Sequence, residues 1–163
     1  MSRLLRHLFA PSASRLFPED SLHRIADAIT VGEQRHGGQV VFAVDAALPL
    51  SAVWAGVPVR VFAEEAFSRL RAWDTDANNG VLIYLLLADH HIEIVADRGF
   101  LGKVDAAQWQ AVCARIEALM KQGSAEQAAI DGVEATSALI ALHYPPAAGM
   151  RDNELPDLPH LLD

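Results

Sequence analysis

The sequence predicts an α/β fold: a three-layer α/β/α sandwich around a small mixed sheet, made of one βαβ unit and an antiparallel hairpin strand. Three observations carry this prediction. Residues 81–87, Val-Leu-Ile-Tyr-Leu-Leu-Leu, are a continuous apolar run, and a strand of that kind must be covered on both faces. A second run, Val-Val-Phe-Ala-Val at 40–44, is separated from it by apolar residues at helical spacing, the pattern of a right-handed parallel crossover. Helical stripes before and after this unit supply the outer layers.

The elements follow in order. Residues 1–17 form a basic arm with Arg3, Arg6 and Arg15 and no acid. Leu4, Leu5, Leu8 and Phe9 share one side of a helix there, which suits a membrane surface or a partner; packing on its own domain is the competing expectation. The α/β/α domain is expected over 18–146. Pro18-Glu-Asp-Ser21 is a helix start. Leu22, Ile25, Ala26 and Ile29 then recur at i, i+3, i+4 and i+7 in a helix ending near His36-Gly37-Gly38. After the strand at 40–44, residues 45–56 read as a loop. Val59, Phe62, Ala63, Ala66, Leu70 and Trp73 stripe the crossover helix, and Asp74-Thr-Asp-Ala-Asn-Asn-Gly80 is turn chemistry throughout. Residues 92–96 are the hairpin partner of 81–87. Asp105 with Gln108 is an N-cap pattern for a helix striped by Trp109, Val112, Cys113, Ile116 and Met120. Ser124 with Gln127 caps a last helix, in which Ile130, Val133, Ser137, Ile140 and Tyr144 share a face until Pro145-Pro146. Residues 147–163 are expected as an acidic surface tail.

Composition narrows the function classes. Of 163 residues, 52% are hydrophobic and 21% charged, which fits one globular domain with a substantial core. Thirteen basic and 21 acidic side chains leave a net charge of −8. That balance argues against a nucleic-acid binder, which needs a basic footprint, and suits cationic ligands. Because residues 1–18 carry +3, the rest of the chain carries −11. Cys113 is the only cysteine, so an internal disulfide or a cysteine-based zinc site is excluded. The amino-terminal apolar stretch is too short for a secretory signal. The longest apolar run, eight residues, falls far below the roughly 20 that a membrane span needs. A soluble cytoplasmic protein is the expectation.

The topology says which loops meet. With two parallel strands and an antiparallel third, the connections at 33–39, 74–80 and 97–102 share one end of the sheet. That end collects Glu33, His36, Asp74, Asp76, Asn78, Asn79, Asp97 and Arg98; the other collects Asp45, Ser51, Asp89, His90 and His91. Carboxylate and amide oxygens are hard ligands matched to Ca²⁺, Mg²⁺ or Mn²⁺. Glu33, Asp74, Asp76, Asn79 and Asp97 are therefore the candidate metal ligands, and a bound cation would relieve the repulsion among them. Asp74-x-Asp76-x-Asn78 is not an EF-hand, since Asn79 replaces the required Gly and Leu85 the closing Glu. The same residues also have structural uses. Asp74 and Asp76 suit Asx turns, Asn79-Gly80 a chain reversal, and Asp105 an N-cap. Glu33 in a last helical turn runs against the macrodipole, which hints at another purpose. His90 and His91 suit a solvated turn, because neighbouring strand positions point to opposite faces. No Gly-rich phosphate loop and no G-x-S-x-G motif is present.

Trp73-Asp-Thr-Asp-Ala-Asn-Asn-Gly-Val-Leu-Ile-Tyr84, followed by Ala88-Asp-His-His-Ile-Glu-Ile-Val-Ala-Asp-Arg-Gly99, resembles the centre of the TPM domain. Ile29-Thr-Val-Gly-Glu33, His36-Gly-Gly-Gln39, Trp109 and Asn153-Glu-Leu-Pro-Asp157 resemble a short bacterial subgroup without signal peptide or membrane anchor. The similarity spans about residues 15–160. It implies an α/β/α sandwich, acidic loops that bind divalent cations in some relatives, and the acid phosphatase activity reported for plant members. Asn79-Gly80 and Asp97 match the family motif. At Gln39 the subgroup usually has an acid, so one ligand or base is missing here.

Two readings follow, besides a purely structural role without an ion. As an accessory or interaction module, the loops would hold Ca²⁺ or Mg²⁺ while an exposed patch docks a protein partner, including a membrane-associated one. As a metal-dependent phosphatase, Asp97 or Glu33 would act as base and Arg98 would hold the phosphate. The missing nucleophile motif favours the module.

Overall fold

In the computed structural model, residues 2–146, 148–149 and 152–163 are described; Met1 of the expected arm and Ala147, Met150 and Arg151 of the expected tail lie outside the described residues. The chain runs α1 (Arg3–Leu8), α2 (Ala13–Leu16), α3 (Glu19–Glu33), β1 (Gln39–Asp45), α4 (Leu50–Trp54), α5 (Val59–Arg69), β2 (Gly80–Leu86) and β3 (His91–Ala96). A 3-10 turn at Arg98–Phe100 then leads to α6 (Ala106–Lys121), α7 (Ala125–His143) and β4 (His160–Leu161).

The sheet has the order β3-β2-β1-β4. β1 and β2 pair in parallel from Gln39↔Gly80 to Asp45↔Leu86, and β3 is antiparallel to β2. The pleat sends alternate side chains to opposite faces, so the two apolar strands feed two cores. Val40, Phe42, Val44, Val81, Ile83 and Leu85 meet α3, α6 and α7 through Ile29, Ile116 and Val133. Val41, Ala43, Leu82, Tyr84 and Leu86 meet Val53 of α4 and Ala63 and Ala66 of α5. This is the expected α/β/α sandwich.

Several elements differ from expectation. The 45–56 loop contains α4, a single turn with only Val53 buried, too short to leave a periodic signal. The crossover helix ends at Arg69, and Arg71 (φ 57°) reverses the chain. Trp73 therefore lies beyond the helix, with its Nε1 donating to the Ser68 carbonyl at 3.3 Å. Asp105 and Gln108 form a reciprocal capping box, whereas the Ser124 side chain makes no cap hydrogen bond.

Both termini are tied to the domain. Asp89, in the β2–β3 turn, accepts Arg3 Nε at 2.9 Å and Arg6 Nη2 at 3.3 Å. Buried His7 accepts the Leu48 N–H through Nδ1 at 3.0 Å, with its Nε2 3.2 Å from Asp89. The arm thus packs on its own domain, although Leu8 and Phe9 stay exposed. The carboxy-terminal segment is more than a surface tail. Leu155 is buried, β4 extends the sheet beside β1, and the Asp163 side chain accepts the N–H groups of Ala13 and Ala46 at 2.7 and 3.0 Å.

Candidate functional site

The amino-terminal ends of β1 and β2 and the carboxy-terminal end of β3 form the sheet end where oxygen-bearing residues were expected to converge. Main-chain bonds lock it together: Gln39 N–H donates to the Asn79 carbonyl (3.2 Å), Asp97 N–H to Gly80 (2.9 Å) and Gly99 N–H to Asn78 (2.8 Å). Asn78 holds a positive φ of 51°, the conformation Asn tolerates best after Gly. A Cβ on Gly80 would strike the Ala72 carbonyl oxygen, and one on Gly99 would strike that of Asn78. The Asn79-Gly80 and Arg98-Gly99 pairs therefore owe their glycines to close backbone approach. Tyr144 clamps the same loop, its hydroxyl donating to the Gly99 carbonyl at 2.5 Å.

Glu33 sits at the end of α3, and its Oε1 accepts the Val40 N–H at 2.8 Å. This explains a carboxylate placed against the helix dipole: it satisfies the edge of β1. His36 is buried, and its Nδ1 accepts the Gly38 N–H at 3.2 Å. Asn79 is buried too, with Nδ2 donating to the Gly37 carbonyl at 2.9 Å. Gln39, where the resemblance implies an acid, is buried and binds the tail, its Oε1 accepting the Leu155 N–H at 2.9 Å. A glutamine fits because it can also donate, here to the Gly38 carbonyl at 3.3 Å.

Asp97 caps the 3-10 turn, Oδ1 accepting the Arg98 N–H at 2.7 Å, while Arg98 itself is exposed. Two side-chain oxygens here are buried without a hydrogen-bond partner among the described residues: Asn79 Oδ1 and Asp97 Oδ2. A buried oxygen of this kind is costly unless a donor or cation meets it.

Glu33, Asn79 and Asp97 thus line the strand ends, whereas Asp74 and Asp76 stand outside on an exposed loop. Asp74 pairs with Arg71 at 2.5 Å, and the Asp76 N–H donates to Glu154 at 2.7 Å. Among the described residues, no group of three or more His, Cys, Asp or Glu side chains is placed to hold a metal ion. Asp105 is an N-cap. His90 sits in the hairpin turn with φ 50°, and His91 bonds Glu93 at 2.9 Å. Cys113 is packed against the core, and burial pushes its thiol up to about 12, so it is no ready nucleophile.

A second polar pair lies at the opposite end. The hydroxyl of fully buried Tyr84 donates to Asp45 Oδ2 at 2.7 Å. Burial raises the Asp45 carboxyl above its ordinary range, with the Tyr84 hydrogen bond and Arg69 opposing that rise. The signal in the sequence was Tyr84 itself, the one polar group in an apolar strand, since a buried tyrosine hydroxyl needs a partner.

Among the described residues, no helix is long and apolar enough to cross a membrane. Comparison with curated proteins gives no match. Among solved structures, the BA42 protein of the psychrophilic bacterium Bizionia argentinensis is 26% identical with a TM-score of 0.75, over 86% of this chain and 92% of that one. The N-terminal domain of a P. gingivalis protein, 13% identical with a TM-score of 0.64, covers 85% of this chain and 86% of its own and shares the fold. The TPM domain model matches residues 13–139, well over half of the sequence, and the chain belongs to the TPM domain family.

Proposed function

We propose that this TPM domain is a binding module that takes up a divalent cation, Ca²⁺ or Mg²⁺, at the amino-terminal end of its sheet and docks a protein partner. The observation that carries the ion is the pair of buried oxygens without partners, Asn79 Oδ1 and Asp97 Oδ2. Both are hard donors, and a cation would complete their coordination together with waters and loop carbonyls. Glu33, Asp74 and Asp76 are the further acids of this end, and Glu33 already gives its Oε1 to the Val40 N–H. Exposed apolar residues such as Trp54 (82%) and Leu101 (80%) support a docking role.

Binding is favoured over phosphoester hydrolysis because no Gly-rich phosphate loop and no nucleophile motif accompanies these acids. Each of these carboxylates gives one oxygen to a main-chain N–H, Glu33 to Val40 and Asp97 to Arg98, as befits a structural binding loop. A thermal melt with added Ca²⁺ or Mg²⁺ tests the proposal. At a hundredfold excess over Kd, a ligand specific for the folded state adds about 2.7 kcal/mol, which for this chain length raises Tm by about 5–11 °C. Asp97→Asn should abolish that rise. An unchanged Tm at millimolar metal refutes the ion, and phosphomonoester turnover lost in Asp97→Asn would establish the hydrolase instead.

A further inference from the structure

A crevice of about 1130 Å³ runs along α5 beside the carboxy-terminal end of β1, between residues 47–49, Leu162 and the helix. It lies at the sheet end opposite the cation site. β1, β2 and β4 are parallel to one another, and ligands of open α/β sheets sit outside the carboxyl ends of such strands. Leu48, Phe62 and Leu162 give the crevice apolar walls, and Asp45 stands at its sheet end. Tyr84 fixes one oxygen of that carboxylate through the 2.7 Å bond to Oδ2. Oδ1 makes no hydrogen bond among the described residues, so an oriented acceptor is left at the mouth of an apolar groove.

Neighbouring charges narrow the ligand class. Glu64 is paired with Arg60 at 2.9 Å, so Asp45 and Glu65 face Arg69 alone within the crevice. A bare metal ion needs several oxygens around it, and among the described residues no group of three carboxylates or imidazoles is placed to supply them. A carboxylate held by Tyr84 next to apolar Leu48, Phe62 and Leu162, in a lining whose acids outnumber its one arginine, instead matches an ammonium on a hydrocarbon body. Its charge would meet Asp45 while its chain covers Phe62 and Leu48.

We propose that this crevice binds a small organic cation, with its ammonium group against Asp45 and its apolar body on Leu48, Phe62 and Leu162. This inference is independent of the divalent-ion site. The test is an amide-resolved NMR titration of the full chain with hexylamine, using hexanol as the neutral analogue of the same shape. Saturable shifts confined to the 45–48 and 61–69 segments are expected with hexylamine, at least about tenfold tighter than with hexanol, as loss of a charged hydrogen bond implies. Asp45→Asn should weaken hexylamine by a similar factor. Because Asp45 also anchors Tyr84, an independent variant is needed. Val61→Arg, at an exposed position lining the crevice, adds a second guanidinium beside that of Arg69 and should block hexylamine by repulsion and bulk while leaving the core intact. Equal binding of hexylamine and hexanol, no saturable shift with hexylamine, or hexylamine binding that survives Val61→Arg overturns the proposal.

Discussion

Tyr84→Phe isolates one hydroxyl in the middle of the fold. The ring is fully buried between the sheet and α5, and phenylalanine keeps its packing, so the substitution removes only the hydrogen bond to Asp45 Oδ2. A hydrogen bond to a charged group is worth about 1.5–3 kcal/mol, and its loss leaves a half-buried carboxylate unserved. At neutral pH the variant should lose about that much stability, a fall in Tm of about 3–12 °C. The pH dependence has a definite sign. Asp45 titrates above its unfolded value of 3.8, so the fold loses stability as pH rises from that value through the folded pKa. The Tyr84 bond opposes the shift; without it, the folded pKa climbs further and the loss deepens. The difference between wild type and variant should therefore be full at pH 7 and shrink as the carboxyl protonates in acid. Urea denaturation at a series of pH values measures it, and Asp45→Asn completes a double-mutant cycle. A variant within about 0.5 kcal/mol of wild type at pH 7, or a difference that does not change with pH, would show that the Tyr84 hydroxyl does not stabilise the Asp45 carboxylate.

Two further outcomes test the packing. Glu126 opens α7 and binds Arg24 of α3 through two hydrogen bonds of 2.7 and 2.9 Å, besides the Ser21 hydroxyl, and these hold its carboxyl down at about 2. Its contribution is present above the unfolded value of 4.5 and lost as pH falls through about 2; the stability gap between wild type and Glu126→Gln, followed by thermal melts, should close over that window, and a gap that is constant with pH would remove the ion pair from the account. Leu155 is buried beside the sheet, so Leu155→Ala should cost about 2–3 kcal/mol, about 4–12 °C in Tm; a loss under about 0.5 kcal/mol would mean that the carboxy-terminal segment is only a surface tail.

What could be read from residues alone was whatever local physics repeats. The apolar run at 81–87, the stripes of α3, α6 and α7, and the Asp105–Gln108 capping box all emerge at their expected places. One-turn α4 and two-residue β4 are too short for any period to register. The convergence of Glu33, Asn79 and Asp97 at one sheet end followed from strand direction, but what each side chain does there did not. A carboxylate near a strand end can meet a metal, a guanidinium or a main-chain N–H. The competition among these is decided by which unsatisfied donor lies within about 3 Å, a matter of tertiary geometry.

Glu33 shows this most plainly. Its placement against the helix dipole was visible in the sequence, while its partner, the Val40 N–H, appears only once β1 packs beside α3. Gln39 and Leu155 are a second case, joined across 116 positions of sequence by one hydrogen bond. The net charge of −8 was likewise a bulk quantity until folding distributed it: Asp89 to the arm, Asp163 to Ala13 and Ala46, Glu126 to Arg24, and Asp45 to Tyr84. The sequence by itself determined the layers, because burying alternating faces of two apolar strands requires helices on both sides. Which acids serve as structural ties and which buried oxygens are left without a hydrogen-bond partner among the described residues was settled only in the folded chain, because that depends on close contacts between segments far apart in the sequence.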